Sequence, residues 1–85
     1  MNWELQIPKR VARQLKRLPR KESERVVSVI QQFASSPYDG DVEKMSGTED
    51  LWRRRVGSYR ITYEVYPSRK IIRIFSVERR ASHTY

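Results

Sequence analysis

Residues 52–65 read Trp-Arg-Arg-Arg-Val-Gly-Ser-Tyr-Arg-Ile-Thr-Tyr-Glu-Val, the pattern of two strands joined by a tight turn. Gly57-Ser58 is a two-residue loop with glycine at its first central position, the requirement of a type II′ β-hairpin. With those two residues as the loop, Val56 faces Tyr59, Arg55 faces Arg60, Arg54 faces Ile61, Arg53 faces Thr62 and Trp52 faces Tyr63. Side chains alternate across a strand, so Trp52, Val56, Tyr59 and Tyr63 share one side, and Arg53, Arg55 and Arg60 share the other. Directly opposed β carbons stand only about 5 Å apart, and like charges there repel. A chain that accepts this repulsion is expected to hold an anion at the site. The plainer alternative is a solvated face whose long arginines splay apart.

Outward from the hairpin, residues 3–7 alternate apolar and polar and predict a short strand. Pro8 suits the first turn of a helix. Val11, Leu15 and Leu18 then recur at helical spacing, with Arg13, Lys16 and Arg17 on the remaining surface. Pro19 ends that helix, because the residue before a proline is pushed out of the α region. A second helix is expected over 21–34, with Val26, Val29, Ile30 and Phe33 as its apolar stripe, and the two helices form a hairpin. Residues 38–50 are polar and acidic, with at most a short strand near Lys44-Met45. After the hairpin, Pro67-Ser68 turns the chain into a last strand over 70–77. Its isoleucines, Phe75 and Val77 put apolar groups on both faces, so it is expected to lie inside the sheet. Residues 78–85 form a polar tail. The fold class is therefore α+β: an N-terminal strand, a two-helix hairpin, then a three- to four-stranded antiparallel β-meander with both helices on one face. Residues 1–85 are expected to form a single domain.

Composition narrows the chemistry. The chain has 85 residues, no cysteine and one histidine, so neither disulfides nor thiolate catalysis is available and a protein-built zinc site is not expected. No apolar run is long enough to span a bilayer, and the first residues do not read as a signal peptide, which points to the cytoplasm. The net charge of +8 is unevenly spread. Residues 9–25 and 53–80 are strongly basic, whereas 36–50 carry five acids against one lysine. Arginine dominates the second basic block, and it binds phosphate bidentately and stacks on bases. Two basic regions in so small a chain favour a polyanionic partner, nucleic acid or an acidic protein segment. An interfacial membrane helix would need exposed aromatics and leucines that residues 9–25 lack.

At this point the chain resembles the RelE/ParE superfamily of toxins from toxin–antitoxin pairs. The resemblance covers the size, the element order, the acidic loop and the hairpin Leu51–Val65, with its Tyr-Arg-Ile-Thr-Tyr strand after the glycine turn. It also covers the closing segment Val77-Glu78-Arg79-Arg80-Ala81-Ser82-His83-Thr84-Tyr85. RelE-like members are mRNA endonucleases of the ribosomal A site, whereas ParE-like members poison DNA gyrase without catalysis. The resemblance to RelE-like enzymes assigns the catalytic positions to Arg53, Arg55, Arg60, Arg79 and Tyr85. Because ParE-like toxins tend to lack the full set, it favours a metal-independent, cofactor-free endoribonuclease. It further implies a cognate RelB-like antitoxin with an acidic segment, and the ribosome and mRNA as partners.

Metal-free RNA cleavage must deprotonate a ribose 2′-hydroxyl, stabilise a phosphorane and protonate the leaving 5′-oxygen. A guanidinium cluster suits the second task, and Tyr85 suits stacking on a base. One departure matters. RelE itself has lysines where this chain has Arg53 and Arg55, and arginine is a poor base because it stays protonated. Glu43 resembles the base of the YoeB-like branch, and His83 has a suitable intrinsic pKa. Their plainer readings are a loop carboxylate and a terminal surface residue. Arg13 and Arg17, with Arg54 and Arg80, are expected to grip RNA; on the helix the plainer reading is a solvated face. The resulting expectation is a ribosome-dependent mRNA interferase of RelE type, with a ParE-like gyrase inhibitor as the first rival and an inactive or purely structural RNA-binding member as the second.

Overall fold

The structure, a computed structural model, describes residues 3–45, 47 and 50–79. Two prolines set the helix starts. The Pro8 carbonyl accepts from the Val11 and Ala12 amides at 3.0 Å each, opening α1 (Lys9–Arg17). Likewise the Pro19 carbonyl accepts from the Ser23 amide at 2.8 Å and opens α2 (Arg20–Gln32). A residue at the helix start has no intrahelical partner for its N–H, so proline loses nothing there. Between the helices, Leu18 is extended with ψ 151°, as the residue before a proline must be. The expected helix pair is present. The second helix starts one residue earlier and stops two residues sooner than its apolar stripe predicts.

Five strands make one sheet. They are β1 (Glu4–Gln6), β2 (Val42–Lys44), β3 (Leu51–Val56), β4 (Tyr59–Tyr66) and β5 (Ile71–Arg79), in spatial order β1-β5-β4-β3-β2. The last four form the antiparallel meander, and β1 adds in parallel along β5, with Leu5 opposite Ile72. The short strand before the hairpin lies at Val42–Lys44, two residues earlier than expected near 44–45. As expected, β5 lies inside the sheet, between β1 and β4.

The two-sided apolar pattern of β5 has a different cause from the expected one. Tyr63 pairs with Ile74 but Thr62 pairs with Ser76, so Phe75 is an extra residue, a β-bulge. The bulge lets Ile74 and Val77, three apart in sequence, both face the helices. Ile74 is 0% and Val77 5% exposed, whereas Phe75 is pushed outward to 48%. The bulge also shifts the register by one residue from Ser76 onward and places Glu78 opposite Arg60. Without it Arg60 would face Val77, whose side chain would leave the core.

The core lies between the helices and one sheet face. Val11, Val26, Ile30 and Phe33 meet Ile61, Tyr63, Val65, Ile72 and Ile74 there. Tyr63 is its centre, with ring centroids 4.3 Å from Phe33 in a near-parallel stack and a hydroxyl donating to the Pro37 carbonyl at 2.6 Å. Burial pushes its phenol well above the ordinary tyrosine range. The expected cross-strand pair of Trp52 and Tyr63 is formed. Trp52 continues outward to Tyr38, and Tyr38 to Trp3 in an edge-on contact. Beyond the three residues paired with β1, α1 serves the outer edge of β5. Gln14 Oε1 accepts from the Val77 amide at 3.0 Å, and the Arg10 guanidinium donates to the Phe75 carbonyl.

Candidate functional site

The face of the sheet away from the helices carries the arginines. Gly57 has φ +59°, the value that a II′ turn demands at its first central residue and that glycine adopts without a steric cost. That turn fixes the β3–β4 register as the sequence predicts, from Val56 opposite Tyr59 down to Trp52 opposite Tyr63. Arg53, Arg55 and Arg60 consequently come together on the open face, where with Asp41 and Glu43 they line a cleft of about 110 Å³.

Strand pairing builds two rungs across this face. In the first, Glu43, Arg53, Thr62 and Ser76 lie side by side on β2, β3, β4 and β5. In the second, Arg55 lies opposite Arg60, and Arg60 lies opposite Glu78. Asp41 completes that second rung, because its carbonyl accepts from the Arg55 amide at 3.1 Å. Every arginine of the cluster has a carboxylate beside it. The distances are 3.9 Å for Arg53 NH2 to Glu43 Oε2, 3.8 Å for Arg55 Nε to Asp41 Oδ2, and 3.8 Å for Arg60 NH2 to Glu78 Oε1. The repulsion between Arg55 and Arg60 is thus offset by the protein's own anions, one on each flank. Solvent-exposed ion pairs of this length each contribute about 0–1 kcal/mol, so an incoming anion displaces them at little cost.

Not all the expected site residues gather here. Arg54 alternates onto the opposite, helix-side face. There it donates to the Asp39 carbonyl at 3.2 Å and bounds a hollow with Gln32, Phe33, Ser35 and Ser36. It is a tie for the loop that carries Asp41, and it does not face the cleft. Arg79 pairs with Tyr59 and follows Glu78 in the strand, so alternation puts it on the helix side of the sheet, across from the cluster. Arg13 and Arg17 are exposed on α1, in the helix layer, with the sheet between them and the cleft. Arg80, His83 and Tyr85 lie outside the described residues. Glu43 stands in the cleft beside Arg53 with its side chain 70% exposed. Among the described residues no three His, Cys, Asp or Glu side chains converge to hold a metal ion.

The sequence reading missed Asp41 and Glu78. Asp41 is one acid among several in its loop, and Glu78 reaches Arg60 only through the β5 bulge. Gly40, just before Asp41, has φ +89°, and a Cβ there would strike the Arg54 guanidinium. Gly40→Ala is therefore expected to lower stability by about 1–3 kcal/mol, through left-handed backbone strain and displacement of Arg54. Thermal unfolding checks this, and a melting temperature equal to that of the unaltered protein would contradict it.

Comparison with known proteins places this geometry. Residues 5–83 match the family described as "ParE toxin of type II toxin-antitoxin system, parDE". The chain is a toxin of the RelE/ParE superfamily. The archaeal RelE–RelB complex from Pyrococcus horikoshii OT3 is similar to it at 31% identity and a TM-score of 0.84, covering 98% of this chain and all of that one. The RelB–RelE complex from Methanococcus jannaschii is 26% identical with a TM-score of 0.72, covering 87% of this chain and 88% of that one. A curated sequence from Methanocaldococcus jannaschii that carries the name RelE1 is 29% identical over 83 residues, 94% of this chain and 92% of its own length. Within the superfamily fold, this toxin carries its arginine cluster on the sheet face that the helices leave open. None of its described helices is long and apolar enough to cross a membrane.

Proposed function

We infer that this toxin is a ribosome-dependent endoribonuclease that cleaves mRNA in the A site and so arrests translation. The observation that carries the reading is the convergence of Arg53, Arg55 and Arg60 around one cleft on two paired strands, β3 and β4. Attack of a ribose 2′-hydroxyl on the adjacent phosphate breaks the bond to the 5′-oxygen and passes through a phosphorane with one more negative charge than the diester. Guanidinium groups gathered at the cleft stabilise that added charge. Arg53 and Arg55 stay protonated and do not accept the 2′-proton. In this reading electrostatic stabilisation supplies most of the rate, and His83 contributes modestly to proton transfer. The reaction needs neither metal nor cofactor, and it takes place in the cytoplasm. Arg13 and Arg17 on the helix layer add sequence-independent contacts to ribosomal RNA phosphates, with affinity falling as salt rises.

The RelE–RelB complexes among the solved neighbours support a cognate antitoxin as the partner that keeps the toxin silent. An acidic segment that folds on binding fits the chain's net charge of +8. A second reading, inhibition of DNA gyrase, has one observation in its favour: the matching family is described by its ParE toxin. Primer extension on translated mRNA separates the two. Cuts within codons that require the ribosome are expected, whereas intact mRNA with gyrase-linked DNA breaks would select the second reading.

A further inference from the structure

The proposed chemistry gives no task to Asp41 or Glu78, yet they bound the rung that holds the opposed arginines. Along Asp41, Arg55, Arg60 and Glu78 the charges run minus, plus, plus, minus, from the loop before β2 across β3, β4 and β5. Both outer contacts are 3.8 Å, longer than the roughly 2.7–2.9 Å of a charge-assisted hydrogen bond. All four side chains are open to solvent, Arg60 least so at 37%. These pairs neutralise without locking. A phosphate spanning Arg55 and Arg60 gains short bonds that the carboxylates do not make.

We propose that Asp41 and Glu78 are specificity-determining residues: resident counter-anions that occupy Arg55 and Arg60 until a phosphodiester displaces them. The inference rests on the cleft being the RNA site. Displacement costs the same before and during the reaction, so the two carboxylates lower uniform binding. Selectivity follows. A protein of net charge +8 otherwise holds any RNA by its phosphates. With the rung compensated, only RNA that is also held by contacts elsewhere enters the cleft.

The test uses fluorescence anisotropy with a labelled single-stranded DNA decamer, which presents phosphates but no 2′-hydroxyl. The double variant Asp41→Asn/Glu78→Gln is expected to bind about tenfold tighter than the unaltered protein at about 0.1 M salt. Glu4→Gln/Glu64→Gln removes the same charge from the sheet away from this rung, and is expected to change affinity less than about twofold. Equal tightening by both doubles would reduce the effect to net charge and overturn the proposal. So would unchanged, weaker or absent binding by the Asp41/Glu78 double. A second readout needs no nucleic acid. Glu78→Gln is expected to lower the melting temperature by about 3 °C, and by half that or less when Arg60 is already glutamine. Additive shifts would overturn the pairing. Failure of mRNA cleavage with both of these results intact would sink the nuclease reading alone.

Discussion

Arg60→Ala is expected to slow single-turnover cleavage of mRNA on programmed ribosomes by about 100- to 1,000-fold, the scale of losing one preorganised oxyanion donor. Arg60 sits between Arg55 and Glu78 in the second rung, so strand pairing sets its backbone position at the cleft before any phosphate arrives. Its removal relieves repulsion against Arg55 but strands Glu78. These effects oppose each other, and the melting temperature should move by no more than about 2 °C. Arg55→Ala should lose a similar factor. Glu43→Gln should be nearly silent, because in the electrostatic account its exposed carboxylate takes no proton. Cleavage by Arg60→Ala at the unaltered rate, at equal protein level, would remove the cluster from the mechanism. The pH profile offers a sharper check. A rate that rises with an apparent pKa near about 6–7 and goes flat in His83→Ala would make His83 the base and refute the electrostatic account.

Tyr63→Ala is expected to cost about 3–5 kcal/mol, the usual range for emptying a large aromatic site in a core. In a chain this small that is a large share of a total stability of about 5–15 kcal/mol. Tyr63 is 0% exposed, stacks on Phe33, and ties β4 through its hydroxyl to Pro37, at the entry to the loop that carries Asp41. Tyr63→Phe keeps the stack and leaves only the Pro37 carbonyl without its donor, for a smaller loss of about 1–3 kcal/mol. Urea unfolding with all three proteins orders them. Equal stability of the phenylalanine and alanine variants would mean that the ring packing contributes little.

The hairpin could be read from sequence because its information is local. A glycine in a two-residue turn sets the register, and alternation then assigns each face. Arg53, Arg55 and Arg60 fall together on that basis, and Pro8, Pro19 and the helical stripes define the helix pair in the same way. The last strand was harder. Its alternation changes phase at Phe75, and a bulge cannot be told from two-sided burial when both leave apolar residues at neighbouring positions. That one residue decides which side chain stands opposite Arg60, so Glu78 was invisible until the register was known. Arg79 suffers similarly, because a strand that runs to residue 79 sends it to the helix side. A chain leaving the sheet at Val77, as the polar tail suggested, would have left its side free. Asp41 needed knowledge of a loop that Gly40 and Arg54 shape together.

The contacts between α1 and β5 also bear on how the sheet ends. An exposed strand edge with a row of unpaired amides and carbonyls is a template for another chain, and native sheets blunt such edges. Here the terminal strands β1 and β2 have three residues each, too few to seed a long ladder. The stretch of β5 that projects past β1 is met at Phe75 and Val77 by Arg10 and Gln14, which fill main-chain valences that a foreign strand would seek. A helix that looks like a solvated basic surface therefore also guards the sheet against self-association.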